Sequence, residues 1–346
     1  MRILIAGLGA IGQRHARNLR ALRPDAELLA WRSRGRRGVV TEQLARDDAR
    51  DVEAELGIRA FGALDDALAE RPDAVFVCTP TSVHLEVAQR SAEAGCHLFI
   101  EKPVSHTMSG VERLRATVEA NRLTAMVGCQ WRFHPLVRHL RTLLHSAAFG
   151  PLRGAHIDYA EYLPDWHPYE DYRQSYAARE ALGGGVVLTQ IHDYDLAWWL
   201  FGAPLRVRAT GGHLSELEID VEDTVDATLE TASVAVRVTQ SMATRPPRRS
   251  IIVEGERGRA VLDLLGGTLV AEALPPLAPV APIADYQRNQ MFVDEAAQFL
   301  DCLEVPAGSS AGRAAPAVPL SEGIEVLRIA LAVRESLRRG EAVELR

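Results

Sequence analysis

Residues 7–15 read GLGAIGQRH and follow directly on MRILIA at residues 1–6. Ile3, Leu4, Ile5 and Ala6 form an unbroken apolar run, the pattern of a strand buried on both faces. Gly7, Gly9 and Gly12 have the spacing G-x-G-x-x-G, and Ile11, Leu19 and Leu22 then recur at helical spacing. Glycines between a strand and a helix permit a tight turn and let another group approach the backbone. The helix N-terminus offers free N–H groups and a positive dipole end to a pyrophosphate. In this placement the stretch, with Ala10 and Ile11 completing the turn, reads as a dinucleotide-binding loop rather than a turn without a ligand.

The pattern continues outward from that loop. AELLAW (26–31), AVFVCTP (74–80), HLFIEKP (97–103) and TAMVGCQ (124–130) read as further strands, with helices expected over 41–56, 63–70, 82–94 and 107–121. This alternation predicts an α/β fold whose first domain, residues 1–128, is a doubly wound parallel sheet. Ligands of such sheets sit beyond the carboxyl ends of the strands. Those ends carry Trp31-Arg32, Thr79-Pro80-Thr81, Glu101-Lys102-Pro103 and Gln130.

The pattern changes near residue 130. A helix is expected at 134–146, then RGAHIDYAEYL (153–163), an aromatic-rich loop, Gly183-Gly184-Gly185 and the apolar DLAWWL (195–200). Alternating segments between 221 and 272 predict a large, mostly antiparallel open sheet in a second, α+β domain over 129–346. Stretches 274–283 and 305–319 read as loops, and a final helix at 321–338 is expected to pack back toward the first domain. One face of the second sheet needs cover, which predicts pairing of two chains through it.

Composition limits the partners. The 346 residues are 47% apolar and 25% charged, and 39 basic against 46 acidic residues give a net charge of −7, which argues against nucleic acid. No apolar run approaches the roughly 18 residues of a membrane span. The first strand begins at Met1-Arg2, and Cys78, Cys96, Cys129 and Cys302 form no CxxC pair. Both observations predict a cytoplasmic protein with reduced thiols.

The second strand bears on cofactor choice. An NAD site carries Asp or Glu about 20 residues past the glycines. Here the strand runs into Trp31, Arg32, Ser33 and Arg34, with Arg36 and Arg37 behind. Guanidinium groups and a hydroxyl suit a 2′-phosphate, so NADP is expected, with NAD the alternative.

With GLGAIGQRH, CTPTSVHLEVAQRSAEAGCHLFIEKP (78–103) and GGGVVLTQIHDYDLAWWLFG (183–202) in this order, the chain resembles the Gfo/Idh/MocA oxidoreductases. That family is named after glucose–fructose oxidoreductase, inositol dehydrogenase and a rhizopine-catabolism protein. The resemblance implies a Rossmann domain and NAD(P)-dependent hydride transfer at a carbinol carbon of a sugar, nucleotide sugar or cyclitol. It also implies homodimers or homotetramers through the open sheet. Lys102 would sit beside nicotinamide and substrate and move the hydroxyl proton, because hydride cannot leave a carbinol carbon unless that proton is taken up. Glu101 would position the cofactor ribose and Lys102. His192 would assist at the hydroxyl. Thr79, Pro80, His84 and Gln130 would complete the cofactor site, and Arg132 would approach the substrate.

Many members carry an aspartate three or four residues ahead of the histidine, whereas this chain has Leu188 and Thr189. Thr189 would then face substrate, with Asp193 or Asp195 left to compensate. The stretch EYLPDWHPYEDYRQSYAARE (161–180) offers Trp166, Tyr169, Tyr172 and Tyr176 to sugar C–H groups, and Asp165, His167, Arg173 and Arg179 to hydroxyls or anions. Arg288 and Asn289 are candidates for the same pocket. His156, Asp158 and His167 have no compact ligand spacing, so no metal is expected. Two other functions fit this fold: a dinucleotide-binding sensor without catalysis, and a glycosidase that uses NAD transiently.

Overall fold

The computed structural model describes residues 1–32, 38–41, 44–146, 148–273, 286–304 and 314–345. The first half comprises β1 (Arg2–Ala6), α1 (Ala10–Leu22), β2 (Glu27–Trp31), β3 (Val39–Val40), β4 (Arg46–Asp47), α2 (Val52–Leu56), β5 (Ile58–Phe61) and α3 (Leu64–Ala69). It continues with β6 (Ala74–Val77), α4 (Thr81–Glu93), β7 (His97–Glu101), α5 (Val111–Ala120) and β8 (Ala125–Gly128). Six strands form one parallel sheet in the order β5-β2-β1-β6-β7-β8. The chain winds outward from β1 through β2 and then returns to β6 on its other side. The crevice at that reversal, where ligands of such sheets lie, opens above Gly7 and Thr79.

One expectation is corrected here, and one strand is added. Of the helix expected over 41–56, only Val52–Leu56 is helical among the described residues. Val39 and Val40 pair with Asp47 and Arg46, which holds that segment extended. Asp51 then starts α2 by accepting hydrogen bonds from the Glu53 and Ala54 amides, and Gly57 ends it at φ 61°. Ile58–Phe61, unassigned from sequence, adds the edge strand β5 beside β2.

The second half contains α6 (Pro135–His145), β9 (Leu152–Tyr162), α7 (Val186–Thr189), α8 (His192–Phe201), β10 (Pro204–Gly212), β11 (Thr224–Thr231) and β12 (Ala235–Ser241). It closes with β13 (Ala243–Gly255), β14 (Arg259–Asp263), β15 (Thr268–Glu272), α9 (Gln290–Leu303), α10 (Leu320–Arg339) and β16 (Val343–Glu344). Eight strands run in the order β15-β14-β13-β9-β12-β11-β10-β16, antiparallel except for β9 beside β12. Alternation puts Val225, Ala227 and Leu229 of β11, and Val236 and Val238 of β12, on one buried face.

Helices α8 and α10 pack on that sheet, α8 against β12 and α10 against β10. The apolar face is therefore covered within the chain, and the need for a second copy to cover it falls away. The opposite face is polar where Asp226 pairs with Arg237 and Asp158 with Arg248. Helix α9, also unassigned from sequence, packs on α1. Its Phe299 meets Phe76 and Phe99 of the parallel sheet at 5.5 and 5.6 Å. The second half thus completes the core of the first. Among the described residues no helix is long and apolar enough to cross a membrane.

Candidate active site

A cleft of about 1230 Å³ runs from the glycine loop, across the ends of β6 and β7, to the second sheet. At one end Gly7 has φ +103°, and a Cβ there would lie 2.7 Å from the Cys78 carbonyl oxygen. A Cβ on Gly12 would meet the Gly7 oxygen at 1.9 Å, whereas one on Gly9 would meet nothing within 4 Å. Gly7 and Gly12 therefore let strand, turn and helix close on one another. Gly9, the N-cap of the 13-residue α1, leaves the helix amides open with no capping side chain. Gly7, Gly9, Ala10, Ile11, Thr79 and Pro80 line the cleft, while Gly12 lies beneath the turn. These residues fit a dinucleotide pyrophosphate. At the end of β2, Trp31 and Arg32 also line it, and Arg32 Nε lies 2.9 Å from Glu53 Oε1. Ser33, Arg34, Arg36 and Arg37 lie outside the described residues.

At the other end Lys102 Nζ donates to the Thr189 carbonyl at 2.7 Å. The Lys102–Pro103 bond is cis. His84 is buried with its two ring nitrogens 2.7 Å from the Pro103 and Thr79 carbonyls, which ties the β6 and β7 exits together. His192 opens α8, buried, with Nε2 3.4 Å from Gln130 Nε2. Burial, reinforced by the charges of Lys102, Arg249 and Arg288, holds its imidazole well below the usual histidine range, so it is neutral near pH 7. An amine fixed by a carbonyl thus shares the cleft with a neutral imidazole, and the pair can hold or move a proton.

The first 129 residues match the family model described as "Oxidoreductase family, NAD-binding Rossmann fold", and residues 137–261 match the GFO/IDH/MocA C-terminal domain. The UDP-N-acetylglucosamine 3-dehydrogenase of Acidithiobacillus ferrooxidans is 33% identical over 271 residues, covering 78% of this chain and 76% of the relative. The chain belongs to the Gfo/Idh/MocA oxidoreductase family. The Thermotoga maritima myo-inositol 2-dehydrogenase is 28% identical over 279 residues, 78% of this chain and 77% of that one. The WlbA dehydrogenase of Bordetella pertussis, solved with NADH and UDP-GlcNAcA, shares the fold with a TM-score of 0.79 at 23% identity, covering 100% and 99% of the two chains.

Within this Gfo/Idh/MocA frame some expected contacts are absent. Arg132 does not reach the cleft. It is 2% exposed, forks onto Asp195 with Nε and Nη2 at 2.5–3.1 Å, and also bonds Glu322. Arg173 is held outside by Asp171 and Glu218. Neither Asp193 nor Asp195 supports His192, whose Nδ1 has no hydrogen-bond partner among the described residues. Asp193 instead accepts from Gln240 at 2.8 Å, and Asn289 bonds Arg14 and Asn18. Trp166, His167, Tyr169, Tyr176 and Arg288 do line the cleft, as do Glu101, Gln130 and Thr189.

Sequence reasoning missed Arg249, which is 5% exposed and lies over Trp131 and Tyr159 at 4.8 and 4.5 Å. Its signal was available, because on β13 it alternates inward with buried Ile251 and Val253. A second omission is His15, whose Nε2 lies 2.6 Å from Glu101 Oε1. Glu295 of α9 completes a buried trio with them, its ligand atom within 4.8 Å of theirs. Burial and the charge of Glu101 raise the Glu295 carboxyl well above the usual range. The 2.6 Å contact is a hydrogen bond that fixes Glu101 beside Lys102.

Proposed function

We propose that this chain is an NAD(P)-dependent dehydrogenase or reductase acting at a carbinol or ketone carbon of a sugar, nucleotide sugar or cyclitol, with Lys102 as the proton shuttle. The observation that carries the reading is the Lys102 amine, held by the Thr189 carbonyl at 2.7 Å at the end of β7, in one cleft with His192 and the glycine loop. The names of the relatives, a UDP-N-acetylglucosamine dehydrogenase and inositol dehydrogenases, support the substrate class. A bound nicotinamide supplies the hydride acceptor or donor. The chain's own residues do the rest. Gly9 and the α1 amides hold the pyrophosphate, and Thr79, Pro80 and His84 border the nicotinamide side. Lys102 Nζ takes the hydroxyl proton in oxidation and returns it in reduction. His192, neutral, hydrogen-bonds the reacting oxygen, and Trp166, His167 and Tyr176 form the wall against the ring.

NADP is the preferred cofactor in this proposal. Arg32 and Arg46 line the adenosine end, while Glu53, the acid paired with Arg32, does not line the cleft. Four buried free cysteines support a cytoplasmic setting. Pairing of chains through the outward face of the second sheet, where Ile252, Val261 and Val270 stand in cross-strand register, belongs to the same proposal. The test is a panel of neutral sugars, nucleotide sugars and cyclitols, read as gain or loss of reduced-nicotinamide absorbance with each cofactor. Turnover with a panel member supports the reading. No turnover with any member in either direction would overturn it.

A further inference from the structure

Behind the strand end that carries Lys102, three titratable side chains meet in the core. His15 comes from α1, Glu101 from β7 and Glu295 from α9, and one polar atom of each lies within 4.8 Å of the other two. They are 0%, 6% and 0% exposed. His15 Nε2 lies 2.6 Å from Glu101 Oε1, whereas His15 Nδ1 and both Glu295 oxygens have no hydrogen-bond partner among the described residues. The walls are aromatic. The His15 ring meets Phe76, Phe99 and Phe292 at 5.4, 5.0 and 6.2 Å, and Phe299 closes on Phe76 and Phe99.

Two carboxyl groups this close, walled from water, cannot both carry charge without a large cost. The other titratable and charged groups near them do not change that. Cys78 after β6 and Cys129 after β8 are thiols that burial pushes up. Arg14 of α1 donates to Asn289 at 2.8 Å and lies over Phe292 at 4.8 Å, and Lys102 donates to the Thr189 carbonyl. Glu295, which accepts no hydrogen bond, is therefore the acid that keeps its proton, in line with the rise that burial and Glu101 impose on it. Of the three, only Glu101 lines the cleft, and it directly precedes Lys102. A charge arriving in the cleft acts on the trio through Glu101.

Resting on the oxidoreductase reading, we propose that His15, Glu101 and Glu295 form a one-proton store that answers the charge of the nicotinamide ring. Glu295 keeps its proton in the free protein and with the reduced cofactor, and loses it when the oxidised cofactor binds. The carboxyl O–H bond breaks, its electron pair stays on the carboxylate and the proton passes to solvent, so no electron moves and no co-reactant is needed. The two cofactor forms carry the same phosphates and differ by one positive charge on the ring. A nearby positive charge favours an ionised carboxyl, so Glu295 has its lower pKa in the oxidised complex. Binding of the oxidised form then tightens as pH rises through the interval between the two pKa values, while binding of the reduced form does not.

Calorimetry on the full chain tests this without requiring turnover. NADP⁺ and NADPH, and likewise NAD⁺ and NADH, are titrated in two buffers of different protonation enthalpy at several values between about pH 6 and 9. The oxidised form should release up to about one proton more than the reduced form. Its affinity relative to the reduced form should rise by up to about tenfold per pH unit. Glu295→Gln keeps the shape but has no proton to lose, and should abolish that difference, with thermal unfolding confirming that it folds. Lys102→Ala removes the other group that a cationic ring would deprotonate, and should keep the difference. Infrared difference spectra of the unmodified protein give an independent reading: the oxidised cofactor should remove a protonated-carboxyl band that the reduced cofactor leaves. Equal proton release by the two forms, an unchanged band, or a difference that persists in Glu295→Gln would overturn the proposal. If the difference appears but no sugar, nucleotide sugar or cyclitol is oxidised or reduced, the proton store stands and the oxidoreductase reading fails. Binding of neither cofactor form would overturn both.

Discussion

At the nucleotide end of the cleft, Gly7, Gly9 and Gly12 act through what they lack: two remove a collision and the third leaves helix amides open. At the reacting end, Lys102, His192, Gln190 and Arg249 are side chains delivered by β7, α8, the turn before α8 and β13. The first arrangement is made of consecutive backbone and appears in the chain as one short motif. The second exists only once two sheets and a helix have been packed in register. A backbone site is thus set locally, whereas a side-chain site depends on the buried polar braces behind it.

The largest expected effect tests those braces. Arg132 joins two carboxylates behind α8, and Asp195 is 0% exposed. Arg132→Met should lower unfolding stability by about 3–5 kcal/mol, because it strands a buried charge. Arg132→Met with Asp195→Leu should recover most of that loss. Denaturant midpoints decide it. A single variant that loses less than about 1 kcal/mol would mean that the pair behaves like a surface ion pair and braces nothing.

Arg132 also shows where sequence reading stops. The glycine turn, Glu101-Lys102-Pro103 and the histidine after the triple glycine were legible, because each is a compact string at the end of a strand or the start of a helix. Arg132 followed Gln130 in such a string and looked like a ligand contact. Its partners are 63 and 190 residues away, and no spacing reveals that they take it out of the cleft. Arg249 presented the opposite case, a charge on the inward side of an alternating strand, which reads as core until Asp193 and Gln190 are seen against it. Helix α9 carries Met291, Phe292, Ala296, Phe299 and Leu300 at helical spacing, yet the stretch between two loop-like segments concealed it. The parallel sheet and the open second sheet followed from pattern alone, because burial on two faces and on one face leave different periods.

At the nucleotide end, Arg32→Asp should turn a preference for NADPH into one for NADH, by roughly 1.5–3 kcal/mol in relative binding. It replaces a phosphate partner with a like charge and also opposes Glu53. Fluorescence titration with both cofactors measures this. Equal or tighter binding of NADH by the parent would remove the basis for the proposed cofactor choice.

A smaller effect concerns pH. His134 is 3% exposed, lines the cleft and meets Tyr286 edge-on at 5.0 Å. Burial lowers its imidazole from 6.5 to about 4. Between those values the unfolded chain binds a proton that the folded chain refuses. Its contribution is therefore fully present above about pH 6.5 and lost as pH falls toward 4, amounting to about 2 kcal/mol by pH 5. His134→Phe should flatten this part of the stability profile relative to the parent. Parallel profiles between pH 7 and 5 would show that the ring takes up its proton without unfolding.

The central claim, that Lys102 moves the proton, is tested most directly by turnover of Lys102→Ala and His192→Ala at saturating cofactor and substrate, alongside cofactor affinity. The account expects Lys102→Ala to bind NADP(H) nearly as the parent does and to turn over about 10²–10⁴-fold more slowly. His192→Ala, whose imidazole lacks a carboxylate behind it, should lose less. A Lys102→Ala variant that keeps most of its activity while His192→Ala is inactive would contradict the account and transfer the proton to the histidine.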